Sequence, residues 1–316
     1  PTSIEEFKNI NGVGEGKVKK FANYFIELIQ EYIDENKIHK PDGIILRTSG
    51  EKSSKKLSLI YMAKSSQPLV SIIVNCFNGE LFLQQCLESI VNQTYVNWEI
   101  IFVDNNSTDA SSSIALSFSI RLKYFHLSTT VPLYEARNFA ISKASGSVIA
   151  FLDCDDIWHT DSLEMKVRQF QNGHRFVYSL FTDIDKYNLP LNASINRYPK
   201  RPITRQLLLH NIISIGSVLV DRQLLIDHTF NSHFELLGDF ELWVRLSQVV
   251  DFKFVPFVLE YSRQHDSNTS NYKRHLWLSE RRSFYRQFLA TYPFFLFPEI
   301  FIYILKTELK GLLHAR

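Results

Sequence analysis

Apolar residues along the chain form two kinds of pattern, continuous runs and runs with a helical period. An almost continuous apolar run over residues 69–74 is typical of a strand buried on both faces, and residues 98–103 form a second such run. Between them, apolar residues recur with helical spacing over residues 81–91. A strand, a helix and a strand in this order predict a right-handed crossover and a parallel sheet.

A third unit of the same kind leads to a cluster of carboxylates. We predict a strand over residues 121–127, a helix over residues 133–143 and a short buried strand within residues 146–150. Asp153 and Asp155 follow at the carboxyl end of this strand, where open α/β sheets bind their ligands. Their oxygens suit Mg²⁺ or Mn²⁺ bound with a diphosphate, although an acidic, solvated loop before a helix fits these residues equally well.

Six short phrases favour the ligand site over the solvated loop. In chain order they are VSIIVN (70–75), QTYVNWEI (93–100), VDNNSTD (103–109), ARN (136–138), FLDCDD (151–156) and GDFELW (238–243). With these phrases, residues 68 to about 270 resemble the family 2 glycosyltransferases. The resemblance implies the GT-A fold, an α/β, Rossmann-like fold with a mostly parallel sheet that binds a nucleotide-sugar.

The resemblance also implies a reaction. It is an inverting sugar transfer from a nucleoside diphosphate donor, UDP-linked by preference, to a glycan or lipid-linked acceptor in cell-surface polysaccharide synthesis. The implied cofactor is Mn²⁺ or Mg²⁺. A divalent ion on the diphosphate stabilises the charge that develops on the leaving group and needs no proton transfer.

The resemblance assigns nucleotide and metal roles to residues near the ends of the predicted strands. It implies that Asp104 contacts the base, that Asp153 binds the ribose and that Asp155 binds the metal ion. It also places four further residues in the nucleotide pocket: Asn75, Phe77, Asn78 and Arg137.

Asp239 is the candidate general base on the acceptor side. Inversion needs a group that removes the proton of the acceptor hydroxyl while the anomeric carbon is attacked, and the resemblance gives this role to Asp239. The alternative is an N-cap, because a helix is predicted to begin at this point. The family usually has an acid immediately before the base, whereas this chain has Gly238.

A later phrase resembles the Arg-x-His segment that approaches the diphosphate and the metal ion in relatives. Arg263 is therefore a candidate phosphate contact, and His265 is a candidate metal ligand. An ordinary surface or core histidine is an equally good interpretation of His265.

The segment before residue 68 is predicted to be a separate unit. A capping box at residues 3–6, a glycine-rich turn and one apolar face predict a helical hairpin over about residues 1–40. The hairpin resembles the C-terminal part of the HRDC domain of RecQ-type helicases, which implies contacts with DNA phosphates. Residues 41–67 have the composition of a linker. We expect Met62 to be the natural start of the enzyme, with a genuine bifunctional protein as the alternative.

Composition limits the interpretation further. The chain has 316 residues, of which 45% are hydrophobic, and a formal net charge of +2 that gives no general attraction to nucleic acid. Its three cysteines form neither a metal-ligand spacing nor an even disulfide set, which favours a reducing compartment. We therefore expect a cytoplasmic enzyme whose main domain does not bind nucleic acid.

Residues 271–316 are predicted to be helical and suggest a membrane contact. An aromatic-rich apolar segment over residues 292–305 follows five basic residues: Lys273, Arg274, Arg281, Arg282 and Arg286. The segment contains two prolines and a glutamate and falls short of the ~20 apolar residues that a spanning helix needs. Peripheral contact with the anionic inner membrane face fits this pattern, and a helix packed on the core fits it equally well.

Two other functions fit parts of the sequence. A metal-dependent nucleotidyltransferase shares the sheet and the acids, but it would normally have a glycine-rich, basic loop after the first strand, which residues 75–78 lack. A DNA-binding module is suggested only by residues 1–40. The QxxRW phrase does not occur in the sequence, and by resemblance its absence disfavours processive polymer synthesis.

Overall fold

The computed structural model describes residues 67–118, 121–191, 203–266, 268, 273 and 276–291. The chain divides into two units, Pro1–Gln67 and Pro68–Arg316, and the fold below is that of the second unit. The predicted hairpin over residues 1–40, the predicted linker with Met62 and the apolar segment over residues 292–305 lie outside the described residues.

An eight-stranded sheet forms the centre of the second unit. Its strands are β1 (Val70–Cys76), β2 (Trp98–Asp104), β3 (Leu122–His126), β4 (Val148–Phe151), β5 (Ile157–Trp158), β6 (Phe176–Ile184), β7 (Val218–Asp221) and β8 (Phe252–Arg263). Their spatial order is β3-β2-β1-β4-β7-β6-β8-β5. Strands β1 to β4 are parallel to one another, β6 is parallel to β8, and the other three pairs are antiparallel. The predicted α/β fold with a mostly parallel sheet is confirmed.

Helices connect these strands. In the described part of the chain they are α1 (Leu83–Val91), α2 (Ser111–Phe118), α3 (Leu133–Lys143), α4 (Ser162–Gln171), α5 (Ile203–Leu209), α6 (Arg222–Asp227), α7 (Gly238–Leu246) and α8 (Leu276–Thr291), and a short 3₁₀ turn spans Ile215–Ser217. Helix α3 has the predicted bounds, and α1 begins two residues later than its apolar pattern. Helix α2 was not predicted.

Three neighbouring strands of the sheet are buried along their whole length. Every residue of β1, β2 and β4 is buried, including Glu99, whose carboxylate accepts the Ser71 hydroxyl at 2.6 Å and pairs with Lys123 at 2.6 Å. A Cβ atom at Gly146 would lie 2.3 Å from the carbonyl oxygen of Leu69. Glycine at this position therefore lets the chain enter β4 directly against β1.

Helix α8 packs on the core of the second unit. Phe284, Tyr285 and Phe288 are buried in the main hydrophobic cluster, and the Tyr285 hydroxyl donates to the carbonyl oxygen of Leu208 at 2.6 Å. For α8, the alternative of a helix packed on the core is therefore the one observed. None of the helices in the described ranges has both the length and the apolar character needed to span a bilayer.

Candidate active site

A cavity of about 540 Å³ lies at the carboxyl ends of β1 and β4. Its walls come from the segments that follow β1, β2, β4 and β8 and from the first turns of α3 and α7. Its volume is in the range of small-molecule sites. Eight of the predicted site residues line it: Asn75, Phe77, Asn78, Arg137, Asp153, Asp155, Asp239 and His265. Asp104 and Arg263 do not belong to this lining.

Asn75 presents a buried amide that lacks a partner. Its side chain is 7% exposed, and neither Nδ2 nor Oδ1 has a hydrogen-bond partner within the described part of the protein. Leaving such a group unpaired costs free energy, so native proteins rarely do it. Because Asn75 lines the cavity, a bound ligand can supply both missing bonds.

The loops after β1 and β2 hold each other in place at the edge of the cavity. Asn78 has a φ of 52° and its side chain accepts the N–H of Thr108 at 2.8 Å. The N–H of Glu80 donates to the carboxylate of Asp109 at 3.0 Å. These bonds fix the loop while Phe77 stays 53% exposed at the cavity, so that its ring offers a surface for stacking a nucleotide base.

Asp104 is fully buried, and both of its oxygens are already engaged. Oδ1 accepts the N–H of Ser107 at 2.8 Å, and Oδ2 accepts the hydroxyl of Tyr124 at 2.6 Å. Burial raises the pKa of Asp104, but the hydrogen bonds from Ser107 and Tyr124 outweigh it and bring the pKa below its usual value. Here Asp104 shapes the turn after β2, and its position does not favour the implied contact with a base.

Arg137 and Asp153 form an ion pair at the wall of the cavity. Arg137 Nη2 lies 2.6 Å from Asp153 Oδ1, and the arginine side chain is 3% exposed. Burial lowers the pKa of Arg137, but the charge of Asp153 more than offsets it, so the guanidinium stays charged. Next to it, Asn138 exchanges two hydrogen bonds with the backbone of Phe230, at 2.8 and 3.0 Å. The ARN phrase therefore combines a cavity residue with a structural clamp.

Asp155 and His265 are the residues that could hold a divalent ion. His265 Nε2 lies 3.0 Å from Asp155 Oδ2, and both side chains line the cavity. Adjacent ligands of an octahedral Mg²⁺ ion are also about 3 Å apart. No group of three or more His, Cys, Asp or Glu ligands exists within the described ranges. An ion bound with a diphosphate needs only one or two protein ligands, because phosphate oxygens and water supply the others, so these residues fit.

Arg263 is a correction to the predicted site. Its side chain is 1% exposed, and the guanidinium donates to the carbonyl oxygen of Asp155 at 2.8 Å, the side chain of Asn188 at 2.6 Å and that of Gln85 at 3.0 Å. The same group lies 4.5 Å from the centre of the Phe82 ring. These donors are used inside the protein and Arg263 does not line the cavity, so Arg263 holds the loop that carries Asp155 and is not placed to contact a ligand in the cavity.

Asp239 also lines the cavity and is not an N-cap. Helix α7 has Leu237 as its N-cap, and Asp239 Oδ1 accepts the hydroxyl of Tyr134 at 3.2 Å and the N–H of Phe240 at 2.7 Å. Burial raises the pKa of Asp239, although the charge of Arg137 opposes the shift. A carboxylate with a raised pKa at a cavity wall is suited to accept a proton.

Comparisons with known proteins agree with this geometry. The family described as Glycosyl transferase family 2 matches residues 71–227. Over 182 residues the chain is 33% identical to the UDP-Glc:alpha-D-GlcNAc-diphosphoundecaprenol beta-1,3-glucosyltransferase WfgD of Escherichia coli, and the match covers 56% of this chain and 69% of that protein. The chain belongs to glycosyltransferase family 2. Across three curated relatives of this family, the matched part spans 66 to 69% of their length.

Two solved structures share the fold of this family 2 chain. TarS 1–349 of S. aureus, in complex with UDP-GlcNAc, has a TM-score of 0.54 at 19% identity over 63% of this chain and 59% of that one. The mannosyltransferase PcManGT of Pyrobaculum calidifontis, in complex with GDP-Man and Mn²⁺, has a TM-score of 0.52 at 18% identity over 91% and 78%. At these identities the likeness shows the fold alone.

The unusual glycine of this family 2 member has a structural explanation. A Cβ atom at Gly238 would lie 2.5 Å from the ring of Tyr134, so the ring fills the space that a side chain would need. The Tyr134 hydroxyl then reaches both Asp239 and the carbonyl oxygen of Leu236, the latter at 3.0 Å. Sequence reasoning missed Tyr134, and the glycine in place of the usual acid was the signal that could have suggested a bulky neighbour.

A second missed residue fixes the entry to α7. The carboxylate of Glu280, in α8, accepts the N–H groups of Glu235, Leu236 and Leu237 at 2.6, 3.0 and 3.0 Å. These donors lie directly before Asp239. A contact between residues more than 40 positions apart leaves no local signal in the sequence.

Proposed function

We propose that this chain is an inverting glycosyltransferase that moves a sugar from a UDP-linked donor to a hydroxyl of a glycan or lipid-linked acceptor. The observation that carries the proposal is the cavity itself, which brings an unpartnered amide, a pair of potential metal ligands and a half-buried carboxylate together. The name of the relative WfgD supports the choice of a UDP-sugar and of a diphosphate-lipid acceptor.

On the donor side, Asn75 pairs with the nucleotide through its free amide and Phe77 stacks on the base. Asp155 and His265 would hold Mn²⁺ or Mg²⁺, which would supply positive charge against the negative charge of the departing diphosphate. Asp153, fixed by Arg137, faces the ribose as the resemblance implies.

On the acceptor side, Asp239 accepts the proton of the acceptor hydroxyl. As that oxygen bonds to the anomeric carbon, the bond from this carbon to the donor phosphate breaks, and the nucleoside diphosphate leaves with the bonding electrons. Attack from the face opposite the leaving group inverts the anomeric centre. Because a lipid-linked acceptor presents its sugar at a membrane surface, we place the enzyme at the cytoplasmic face of the membrane.

The donor half of the proposal is tested by nucleotide release. Full-length protein is incubated with UDP-, GDP- and dTDP-sugars, with Mn²⁺ or with excess EDTA, and the free nucleotide is measured. We expect release from a UDP-sugar that stops in EDTA, and loss of this release in Asp155→Asn, which removes one charge at constant volume. Asp251→Asn, at an exposed position, serves as the control. Full activity in EDTA would remove the ion from the mechanism.

The acceptor half is tested by Asp239→Asn. We expect this variant to bind UDP with Mn²⁺ as tightly as the parent and to lose transfer by about 10² to 10⁴, the usual worth of a positioned general base. The measurement is transfer per bound donor, with affinity determined by calorimetry. If affinity collapses while turnover per bound donor stays normal, Asp239 is a binding residue.

A further inference from the structure

Two of the three cysteines meet at the floor of the cavity. Strands β1 and β4 are parallel neighbours with Ile73 opposite Phe151, and Cys76 and Cys154 each lie three residues further along. Neighbouring strands are about 4.8 Å apart, which is inside the range of Cα separations found for disulfides. The sheet register therefore brings the two chain segments close together, and Cys154 itself lies in the turn after β4.

The side chains meet as well. Both sulfur atoms face Gly79, where an added Cβ would lie 2.8 Å from Cys154 Sγ and 2.9 Å from Cys76 Sγ, so the two sulfur atoms border the same small space. Glycine at position 79 thus leaves the room that the two sulfur atoms occupy. Both cysteines line the cavity, but Cys76 is 2% exposed whereas Cys154 is half-buried, so a small reagent that enters the cavity meets Cys154 first.

The third cysteine, Cys86, serves as an internal control for Cys76 and Cys154. It is fully buried, does not line the cavity, and its thiol donates to the carbonyl oxygen of Asp153 at 3.4 Å. All three cysteines are free thiols in this structure.

The geometry points to Cys76 and Cys154 as a dithiol modification site that hydrogen peroxide converts into a disulfide. One thiolate attacks the peroxide O–O bond and becomes a sulfenic acid, with release of hydroxide. The sulfur of the second thiol then displaces the sulfenic oxygen, which leaves as water. Two thiols and one peroxide thereby give one disulfide and two water molecules.

Disulfide formation should also abolish nucleotide binding at the donor site. A bonded sulfur pair is about 2.05 Å apart, so closure draws the ends of β1 and β4 together. Asn75 precedes one cysteine, and Asp153 and Asp155 flank the other. We expect nucleotide binding to be lost on oxidation and restored by dithiothreitol; this second consequence rests on the proposed function, whereas the disulfide itself does not.

The first test maps the bond. Full-length protein is treated with hydrogen peroxide, free thiols are blocked, and the digest is analysed by mass spectrometry after cleavage at glutamate, since Glu80 separates Cys76 from Cys86. We expect a linked peptide containing Cys76 and Cys154, formed equally in Cys86→Ser. In Cys76→Ser and Cys154→Ser the linked peptide should be absent, and the remaining cavity cysteine should be recovered unpaired, as a thiol or as an oxidised sulfur acid. A disulfide through Cys86, or overoxidised Cys154 without a bond, would overturn the proposal.

The second test uses nucleotide binding as an independent readout. Affinity for UDP with Mn²⁺ is measured on the oxidised and the dithiothreitol-treated forms of each protein, and each variant is compared only with itself. We expect a loss of at least about tenfold on oxidation of the parent and of Cys86→Ser, and no change in Cys154→Ser. A mapped disulfide with unchanged affinity contradicts the loss of the donor site. Failure of the reduced protein to bind UDP contradicts the proposed function and leaves the mapped bond standing.

Discussion

At the scale of single residues, Asp239 and Tyr134 share a hydrogen bond that bears on the strength of the proposed base. Burial raises the pKa of Asp239, while the charge of Arg137 and the hydroxyl of Tyr134 hold it down. A hydrogen bond donated to the ionised form of an acid always lowers its pKa. Tyr134 therefore acts as a positioning residue that orients the carboxylate and tunes its proton affinity.

Removal of the Tyr134 hydroxyl should change the pKa of Asp239 in a direction that can be predicted. In Tyr134→Phe the ring still fills the space beside Gly238, but the pKa of Asp239 rises because one bond to its ionised form is lost. We expect the acidic limb of kcat against pH to move to higher pH and the maximal rate to fall about tenfold, as for one hydrogen bond to a charged group. Tyr285→Phe, which removes a buried hydroxyl distant in sequence, is the control. An unmoved acidic limb would show that Tyr134 only fills space.

Residue types at the site could be predicted from sequence, but their orientation could not. Eight predicted side chains line one cavity, and most of them follow strands that could be predicted from the sequence. Arg263 was predicted to contact a phosphate. Its partners Gln85 and Asn188, which lie 178 and 75 positions away in the sequence, accept hydrogen bonds from its guanidinium instead. The fold decides which distant acceptors bind the N–H groups of this arginine, so the neighbouring sequence contains no sign of them.

At the scale of elements, α8 acts on the site through the loop before α7. Glu280 accepts three backbone N–H groups with one carboxylate, which caps the residues that lead to Asp239. Phe284 packs against Phe240 with ring centres 4.8 Å apart, so the two helices are also joined by apolar contact.

Glu280→Gln tests this coupling. The amide keeps one acceptor oxygen and turns an N–H group toward backbone N–H groups, which should lower the free energy of unfolding by about 1.5–3 kcal/mol. We expect a lower Tm and a lower transfer rate, with UDP affinity less affected because the donor residues lie on other loops. Glu88→Gln, at an exposed position of α1, should change neither quantity. A normal rate at lowered Tm would limit Glu280 to a role in stability.

Helices and strands with a regular pattern of apolar residues could be predicted from the sequence, and the others could not. Helix α3 appeared with its predicted bounds, whereas α2 consists of four serines among small and apolar residues and buries only Ser111 and Ala115. Strands β6, β7 and β8 mix buried and half-buried positions and include antiparallel pairs, so they lack the continuous apolar run of β1. Their order depends on long-range pairing, which a local pattern does not encode.

At the scale of the whole molecule, every strand pairing of the described sheet joins residues that follow Pro68. Strand β1 is paired along its length with β2 on one side and, over Val70–Ile73, with β4 on the other. The edges of the sheet are β3 and β5, which come from later parts of the chain. The core cluster is likewise built from residues that follow Pro68.

A chain that begins at Met62 should therefore keep the stability and the activity of the full-length protein. All strand partners and all candidate site residues are retained, and the boundary between the two units falls at Gln67 and Pro68. The measurement compares the Tm and the rate of UDP release of the two proteins. A chain that begins at Gly79 provides the control: it lacks β1, which leaves β2 and β4 without their shared partner, and we expect it not to fold. If the chain from Met62 melts at a clearly lower temperature or loses turnover, the first unit contributes to the fold or to the site of the transferase.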